Sequence, residues 1–411
     1  MPKKKMSTDE QVALLMQGSE YGDDELKKAM GNELRDRLVE AEKEGTPLRV
    51  YCGYDPTKSD LHLGHTLTMR KLRQFQDLGH QAIFVIGSFT ALVGDPSERD
   101  SARPRLTKDE VKHNSETYTA QAFKVLDPEK TEVKYNHEWL SEVTLEKFTE
   151  LASVFTVQQF LTRDNFSKRY ESGNPIWLHE FFYTLLQGYD AITLGADVQL
   201  GGTEQLFNLL AGRKLQEAYG MSPQIALTLP VLVGTDGHMR MAKSTGNYIG
   251  IDEPPEEMYG KVMSIPDSAM GNYLRLVTRW TPAEIEEIES GLEAGELHPR
   301  DVKMRLAREI VEIYHGEEAV GAAEDAFRRV FQDRGIPEDI PDFGVSGSPS
   351  LVEIMVDAGV ASSKSEAKRL IDQKGVRLDD EVITDKTFVP QLDQSKILKV
   401  GKRKFIRLQQ R

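Results

Sequence analysis

Two histidines three residues apart, His62 and His65 in the stretch DLHLGH, are side chains whose types and spacing could do chemistry. A zinc site is the weakest interpretation, because helical zinc sites use four-residue spacing with an intervening acid and need a third ligand. A helix start is favoured, since Asp60 can cap it and Gly64 lets a ligand approach the backbone. Free N–H groups and the helix dipole favour an anion there, so the stretch is compatible with a phosphate cradle, a catalytic pair or an ordinary helix start.

A second candidate is the stretch GHMRMAKSTGN, residues 237–247, which follows the apolar run LTLPVLVG. Arg240 and Lys243 lie between small residues on a predicted loop, where they would offer two cations to a polyphosphate. A glycine-rich loop can also move to deliver them. A basic surface turn is the alternative interpretation.

A third polar group consists of Tyr183, Gln187 and Asp190, at positions i, i+4 and i+7 of a predicted helix. This spacing places all three on one helix face, with apolar neighbours on the remainder. The face is either a polar stripe that contacts solvent or the wall of a binding pocket.

The elements around these residues predict an α/β fold. LRVYCGY, a helical pattern with Leu67 and Phe75, and AIFVIG follow one another as strand, helix and strand, which is typical of a right-handed crossover. Further strand-like runs at 133–135, 197–200 and 225–233 extend the prediction to a doubly wound, Rossmann-like parallel sheet. Such sheets bind ligands at the carboxyl ends of their strands.

The rest of the chain predicts further parts around a catalytic domain at 46–252. Residues 1–45 are charged and helical, which predicts an N-terminal helical extension. Residues 253–335 have an almost wholly helical pattern, with prolines near the predicted helix starts, and predict an α-helical domain. Residues 336–349 are rich in Pro, Gly, Ser and Asp and predict a linker. Residues 350–411 predict two short helices followed by alternating strands in a small α+β domain.

Charge is unevenly distributed along the 411 residues. The net charge of -14, taken alone, argues against binding of nucleic acid. Residues 350–411, however, contain 13 Lys plus Arg against 9 Asp plus Glu, and the final stretch KILKVGKRKFIRLQQR has seven basic residues and no acid. A basic tail on an acidic body indicates either a polyanion partner or a solvated surface.

The chain has no apolar run long enough to span a bilayer and no signal-peptide pattern at its N-terminus, so we expect a soluble protein without a membrane partner. Cys52 is the only cysteine, which excludes an internal disulfide and a cysteine-built zinc site. A lone cysteine fits a reducing cytoplasm, which is the predicted location.

The histidine motif DLHLGH and the basic motif RMAKS are more informative as a pair than separately. DLHLGH resembles the HIGH signature of class I aminoacyl-tRNA synthetases, and RMAKS resembles their KMSKS loop, with Arg240 in place of the first lysine. YCGYDPTKSDLHLGH, SFTALVGDPSER, FFYTLLQGYD and VQLGGTEQ are similar to four sequence blocks of the bacterial tyrosyl-tRNA synthetases. The resemblance runs from about Val50 to the C-terminus. The alternatives are a tryptophanyl-type synthetase, another HIGH-motif nucleotidyltransferase and a non-enzymatic RNA-binding relative.

The resemblance implies a ligase that activates tyrosine with ATP and transfers it to tRNA. It implies that Asp190 accepts a hydrogen bond from the phenol hydroxyl, that Tyr51 shares this hydroxyl, and that Tyr183 and Gln187 lie near the ammonium group. A pocket that binds the hydroxyl rejects phenylalanine, because its buried polar groups would otherwise go unpaired. The remaining tyrosine contacts that the resemblance implies are Asp55, Thr90, Asp95 and Gln205.

For ATP, the resemblance implies contacts from Cys52, Gly53, Thr57, His62, Gly64, His65, Thr68, Arg99, Arg103, Arg240 and Lys243. Thr57 and His62 are assigned to the departing phosphates, and the four cations would close over pyrophosphate. Cys52, His65 and Thr68 are assigned to the ribose and nucleotide. Mg²⁺ would accompany ATP, with no protein-bound metal or organic cofactor. Two departures stand out: Arg240 has a different donor geometry from lysine, and Glu204 stands where many bacterial relatives have Asp.

Residues 350–411 resemble the S4-like RNA-binding fold that bacterial tyrosyl-tRNA synthetases carry at their C-terminus. The resemblance implies phosphate contacts to tRNA(Tyr) from Lys364, Lys368, Arg369, Lys374 and Arg377. It also implies a homodimer whose interface comes largely from a helical insertion at about 112–175, with one tRNA contacting both subunits.

Overall fold

The structure, a computed structural model, describes residues 6–56, 61–97, 107–331, 340–347, 349–379, 381–392, 394–401 and 404–410. The predicted residues Thr57, Asp60, Arg99 and Arg103 lie outside these ranges. The chain divides after Glu317 into two compact units.

The first unit is built on a five-stranded sheet in the order β3-β2-β1-β4-β5, with every pair parallel. The strands are β1 (Arg49–Tyr54), β2 (Gln81–Ile86), β3 (Thr131–Tyr135), β4 (Val198–Gly202) and β5 (Ile225–Leu229). Strands β2 and β5 are buried almost throughout, since helices cover both faces of a parallel sheet. The predicted α/β doubly wound sheet is therefore confirmed.

The helices of the first unit confirm most of the predicted pattern, including starts near prolines at α12, α14 and α15. They are α1 (Thr8–Met16), α2 (Asp24–Glu44), α3 (Thr66–Asp77), α4 (Thr90–Val93), α5 (Lys108–Ala122), α6 (His137–Leu140), α7 (Leu145–Ser153), α8 (Val157–Leu161), α9 (Asp164–Glu171), α10 (Leu178–Leu194), α11 (Leu206–Ala218), α12 (Pro255–Met263), α13 (Met270–Val277), α14 (Pro282–Glu293) and α15 (Pro299–His315).

The last predicted strand is shorter than expected. The run 225–233 was predicted as one strand, but β5 ends at Leu229. Pro230 follows, and a proline has no N–H to continue the ladder. Val233 instead forms an isolated antiparallel bridge with Arg240, which brings the RMAKS stretch back beside the end of the sheet.

The N-terminal helices α1 and α2 bury apolar side chains and also make polar contacts with the rest of the first unit. Lys71 of α3 donates from Nζ to the carbonyls of Leu14 and Gln17, at 3.1 and 3.0 Å, and so satisfies the end of α1. Burial lowers the pKa of this lysine to about 7. Arg37 of α2 pairs with Asp197, at the start of β4, at 2.8 Å.

The second unit contains α16 (Glu317–Phe331) almost entirely, α17 (Leu351–Asp357), α18 (Lys364–Asp372) and a mixed sheet in the order β6-β10-β9-β7-β8. Its strands are β6 (Asp342–Val345), β7 (Val376–Leu378), β8 (Glu381–Val382), β9 (Lys396–Val400) and β10 (Lys404–Gln410). Buried side chains of α17, α18 and the strands form one core. This arrangement confirms the predicted α+β pattern.

Part of the predicted linker at 336–349 is wrong. Strand β6 lies within it and pairs in parallel with β10, from Asp342 opposite Arg407 to Val345 opposite Gln410. Its Pro, Gly and Ser neighbours suggested a loop, but Val345 is buried in the core of the second unit. A strand this short is specified by its partner more than by its own pattern.

None of the described helices is both long enough and apolar enough to cross a membrane.

Candidate active site

A cavity of about 530 Å³ opens at the carboxyl ends of the parallel strands, where β1 and β4 lie side by side. The next strand after β1 is β2, on one side, and the next strand after β4 is β5, on the other side, and such a switch point is the usual ligand position in a doubly wound sheet. The residues predicted to contact tyrosine or ATP and described by the structure all line it: Tyr51, Cys52, Gly53, Asp55, His62, Gly64, His65, Thr68, Thr90, Asp95, Tyr183, Gln187, Asp190, Gln205, Arg240 and Lys243.

Asp190 of α10 lines the cavity and is buried. Its Oδ1 accepts a hydrogen bond from Nε1 of Trp139 at 2.8 Å, and its Oδ2 accepts one from Nδ2 of Asn136 at 3.2 Å. Burial raises the pKa of Asp190 to about 7, although both hydrogen bonds oppose that rise. The carboxyl group therefore titrates in the physiological range.

Tyr51 of β1 lies near this carboxylate and is fully buried. Burial, and then the charge of Asp190, hold its pKa well above the usual value. Apart from the side chain of Gln224, which opposes the rise in pKa, its hydroxyl has no hydrogen-bond partner among the described residues. A buried hydroxyl is stabilised by well-aligned hydrogen bonds, so the geometry favours a ligand that supplies one.

Asp55, just after β1, binds two of the predicted contacts. Its Oδ1 accepts from the Thr90 hydroxyl at 2.7 Å, and its Oδ2 accepts from the Tyr183 hydroxyl at 3.0 Å. Gly87 leaves the room for this carboxylate, because a Cβ at that position would lie 2.0 Å from Oδ1. Asn136 also donates to Thr90 Oγ1, at 3.1 Å, and so connects this cluster to Asp190.

A second carboxylate cluster surrounds Asp95. Its Oδ2 accepts from Nε2 of Gln205 at 2.8 Å, and its Oδ1 accepts from the Ser97 hydroxyl at 2.6 Å. Arg163, between α8 and α9, donates to the same hydroxyl and is itself buried. Nearby on α10, the side-chain oxygen of Gln187 is buried without a hydrogen bond to described residues. Together these oxygens offer a cationic ligand several acceptors.

Helix α10 presents Tyr183, Gln187 and Asp190 to the cavity because its first turn is anchored. Glu180 forms a buried ion pair with Arg169 of α9, with 2.6 Å between Oε2 and Nη1. Oε1 of Glu180 also accepts a hydrogen bond from the backbone N–H of Trp177 at the helix start. The face predicted by the i, i+4, i+7 spacing is therefore a cavity wall and not a solvent-exposed stripe.

The two histidines lie in a 3₁₀ turn, Leu63–His65, that leads into α3. Their rings are in contact, with centroids 3.8 Å apart and planes tilted by 34°, and Nδ1 of His65 accepts from the backbone N–H of His62 at 3.2 Å. The stretch is thus a helix start, and both rings contact the cavity.

Cys52 and Thr68 form the floor beside the histidines, together with Tyr54. The Tyr54 and Thr68 hydroxyls are 2.7 Å apart, and the Cys52 thiol donates to the Leu200 carbonyl at 3.2 Å. Burial raises the pKa of Cys52 to about 11, so the thiol stays protonated and is a hydrogen-bond donor.

Several residues of this site were missed by sequence reasoning: Tyr54, Ser97, Asn136, Trp139 and Arg163. Asn136 had an available signal, since it follows β3 directly and polar residues at the carboxyl end of a parallel strand face the ligand edge. Trp139 and Arg163 carried no local signal, because an aromatic or basic residue among helical insertions is usually a surface or core residue.

The predicted RNA contacts lie in the second unit, away from these strands in the chain. Lys364 starts α18 and pairs with Glu353 at 2.9 Å. Lys368 and Arg369 are exposed on the same helix, Lys374 follows it with a positive φ of 56°, and Arg377 is exposed on β7. Four exposed cations on consecutive elements remain compatible with the predicted role.

Within the residues that the structure describes, no group of three or more His, Cys, Asp or Glu side chains is arranged to hold a metal ion.

Comparison with known proteins agrees with this geometry. The family model for class I tRNA synthetases of tryptophan and tyrosine matches residues 43–332, and the S4 domain model matches residues 350–390. A tyrosine-tRNA ligase from Thermotoga maritima is 51% identical over 376 residues, covering 92% of this chain and 93% of the relative. The chain belongs to the tyrosyl-tRNA synthetase family.

Other members of the tyrosyl-tRNA synthetase family give the same result. The Moorella thermoacetica tyrosine-tRNA ligase is 50% identical over 377 residues, 92% of this chain and 91% of the relative. The truncated mitochondrial tyrosyl-tRNA synthetase of Aspergillus nidulans shares the fold with a TM-score of 0.63 at 23% identity, covering 80% of this chain and 95% of that one.

Proposed function

We propose that this chain is a tyrosine-tRNA ligase. It activates L-tyrosine with ATP to give tyrosyl-adenylate and diphosphate, and then transfers tyrosine to the 3′ end of tRNA(Tyr). One observation carries the proposal: a single cavity has Asp190 and the buried Tyr51 in one wall, and His62, Arg240 and Lys243 in another. A phenol and a triphosphate therefore fit one cavity together.

The amino acid is recognised at the end of the cavity near α10. The phenol hydroxyl of tyrosine donates to Asp190 and accepts from the buried hydroxyl of Tyr51. The ammonium group binds near Tyr183 and Gln187, with the clusters of Asp55 and Thr90 and of Asp95 and Gln205 around the substrate.

In the first reaction, a carboxylate oxygen of tyrosine attacks the α-phosphorus of ATP. A new P–O bond forms, the bond between the α-phosphorus and the bridging oxygen breaks, and diphosphate leaves. Charge increases on the phosphoryl oxygens in the transition state, so preorganised donors supply the rate and no general base is needed. His62, Arg240 and Lys243 supply donors among the described residues, and Thr57, Arg99 and Arg103 are proposed as further ones.

The nucleotide binds over the histidines and the floor beside them. His65, Thr68 and Cys52 contact the ribose and nucleotide, and Gly53 and Gly64 leave their backbone accessible. Magnesium enters with ATP as part of the substrate and screens the triphosphate charge. In the second reaction, a hydroxyl of the terminal ribose of tRNA attacks the carbonyl carbon of the adenylate, and AMP leaves.

The second unit binds tRNA phosphates through its S4 domain. Lys368, Arg369, Lys374 and Arg377 are the exposed cations proposed for this contact, with Lys364 weakened by its ion pair to Glu353. Phosphate contacts position the tRNA without reading its bases. The proposed domains are an extension at 1–45, a catalytic domain at 46–252, a helical domain at 253–335 and the S4-like domain from 350, whereas the two compact units divide within the helical domain, after Glu317.

A second copy of this chain is proposed as a partner. Five of the nine large apolar side chains that are exposed among the described residues fall within 145–178. They are Leu145, Val157, Tyr170, Trp177 and Leu178, each more than half exposed. Such a concentration is typical of a surface that is covered in an assembly, here a homodimer. The buried, free Cys52 fits a reducing compartment, the cytoplasm.

The test is exchange of labelled pyrophosphate into ATP, measured separately with tyrosine, tryptophan and phenylalanine. Tyrosine alone should support exchange, because only its hydroxyl pairs with Asp190 and Tyr51. Exchange with tryptophan but not tyrosine would identify the tryptophanyl alternative, which the family model also includes. Exchange that needs neither amino acid would indicate another HIGH-motif nucleotidyltransferase.

A further inference from the structure

Asn247, just after the RMAKS stretch, has every hydrogen-bonding group of its side chain in use. Its Oδ1 accepts from the backbone N–H of Ala242 at 2.9 Å and from the Thr245 hydroxyl at 2.7 Å. Its Nδ2 donates to Oδ2 of Asp236 at 2.6 Å and to the carbonyl of Arg240 at 3.1 Å. The residue is 6% exposed, so water does not compete strongly for these bonds.

These bonds hold the backbone on both sides of one buried residue. Arg240 and Ala242 flank Met241, which is only 2% exposed. One amide therefore binds the carbonyl before Met241 and the N–H after it. The side chain of Arg240 leaves from the first of these peptide units, and that of Lys243 follows directly after the second.

The neighbouring chain is shaped to receive this amide. Gly234 leaves the space for it, since a Cβ there would lie 2.2 Å from Nδ2 of Asn247. The carbonyl of Asn247 also accepts from the backbone N–H of Thr235 at 2.9 Å. Asp236 in turn accepts the N–H groups of His238 and Met239, at 3.0 and 2.9 Å, which fixes its carboxylate.

Arg240 and Lys243 both line the cavity, whereas Asn247 is not among the described residues that do so. We propose that Asn247 is a positioning residue for adenylate formation, which sets the backbone from which Arg240 and Lys243 reach the departing diphosphate. The inference rests on the proposed function of these two cations. Asn247 itself contacts no substrate and acts only through them.

The primary measurement is the single-turnover rate of tyrosyl-adenylate formation at saturating tyrosine and ATP. Asn247→Ala frees the backbone around Met241, and displacement of reacting groups by about 1 Å costs on the order of 10²-fold in rate. We expect the rate to fall about 10- to 100-fold, with the Kd for tyrosine changed by less than about twofold. Asn32→Ala, the same change at an exposed position on α2, should leave both quantities unaltered.

A charge exchange provides the second arm. Asn247→Asp places an oxygen where Nδ2 now donates, facing the carboxylate of Asp236, and is expected to slow the reaction as strongly as Asn247→Ala. Adding Asp236→Asn restores a hydrogen bond between the two side chains, with position 236 now donating and position 247 accepting. The double variant should recover part of the rate, and an equally slow double variant with an unchanged unfolding temperature would overturn the inference.

A double-mutant cycle separates positioning from a general structural role. In a chain that already carries Arg240→Ala and Lys243→Ala, adding Asn247→Ala should slow the reaction by less than about twofold, because there is nothing left to position. Equal slowing in both backgrounds would overturn the inference. If Asn247→Ala has a normal rate while the Arg240→Ala, Lys243→Ala double variant is slow, the role of Asn247 is overturned and the proposed role of the two cations stands. A normal rate for the latter variant would overturn the proposed role of the cations, and the inference with it.

Discussion

Trp139 and Asp190 are joined by a hydrogen bond of 2.8 Å from the indole Nε1 to Oδ1, although 51 residues separate them in the chain. The bond reaches a carboxyl group whose pKa burial raises to about 7. Donation to a carboxylate favours its ionised form, so Trp139 keeps this pKa lower than burial alone would set it. The indole thus favours the charged form of the Asp190 carboxyl group near neutral pH.

Replacing Trp139 by Phe should therefore change the pH dependence of tyrosine binding. The ionised carboxylate is the better acceptor for the phenol, so affinity should rise with pH through about 7 in the natural chain. Without the indole N–H the pKa rises, and the midpoint of this curve should move to higher pH. Isothermal titration of tyrosine between about pH 5.5 and 8.5 measures the midpoint. Trp280→Phe, at a ring that packs against Arg305 instead of bonding to Asp190, is the matched control, and coincident curves for both variants would contradict the prediction.

Replacing Asp190 by Asn should weaken tyrosine recognition far more than ATP binding. A hydrogen bond to a charged group contributes roughly 1.5–3 kcal/mol, so we expect kcat/KM for tyrosine to fall about 10- to 100-fold. The KM for ATP should stay within about twofold, because the histidines and loop cations are unaltered. Pyrophosphate exchange kinetics measure both, with the exposed Asp164→Asn as control. An unchanged kcat/KM for tyrosine would contradict the assignment of Asp190 to the phenol.

The same variant has a stability signature that serves as its folding control. The pKa of Asp190 is raised from 3.8 when unfolded to about 7 when folded, so the folded state binds more protons between these values. Stability from this group is therefore greatest below about pH 4 and is lost as pH rises through about 7. Asn cannot ionise, so Tm of Asp190→Asn relative to the natural chain should increase from pH 5 to about 8. A Tm difference that stays constant with pH would contradict the raised pKa of Asp190.

The concentration of exposed apolar residues at 145–178 predicts a disruptable dimer. Trp177→Glu with Leu178→Glu places two charges in the proposed interface, where burying them unpaired is costly. We expect a dimer at micromolar concentration for the natural chain and a monomer for the variant in sedimentation analysis. Val39→Glu, a similar change at an exposed position on α2, should remain dimeric. A natural chain that sediments as a monomer would contradict the proposal.

The S4 domain should contribute salt-sensitive affinity for tRNA. Lys368→Ala with Arg369→Ala removes two exposed cations from α18. If both contact phosphates, the slope of log K against log salt should become less steep by about 0.7–0.9 for each, while pyrophosphate exchange stays unchanged. Filter binding of tRNA(Tyr) across salt concentrations measures the slope. Lys364→Ala, whose lysine already pairs with Glu353, should change it less, and equal slopes in all variants would contradict the phosphate contacts.

Local pattern alone determined much of the sheet and one wall of the site. Buried apolar strands alternating with helical patterns predicted β1 to β4 because a parallel sheet covered on both faces requires them. The spacing of Tyr183, Gln187 and Asp190 predicted a shared face because the helix period is fixed. The resemblance to class I synthetases, rather than local pattern, predicted that DLHLGH and RMAKS serve one site.

Only the tertiary structure decided which distant groups act together. Trp139 and Asn136 reach Asp190 from a separate segment, and Asn247 binds both sides of Met241 with a single amide. Strand β6 exists only because β10 pairs with it. The spacing of hydrophobic residues indicates which face of a single helix or strand is buried. A side-chain hydrogen bond between two elements depends on how those elements pack. The sequence therefore determined which residues could do the chemistry, and packing decided their pKa values and their partners.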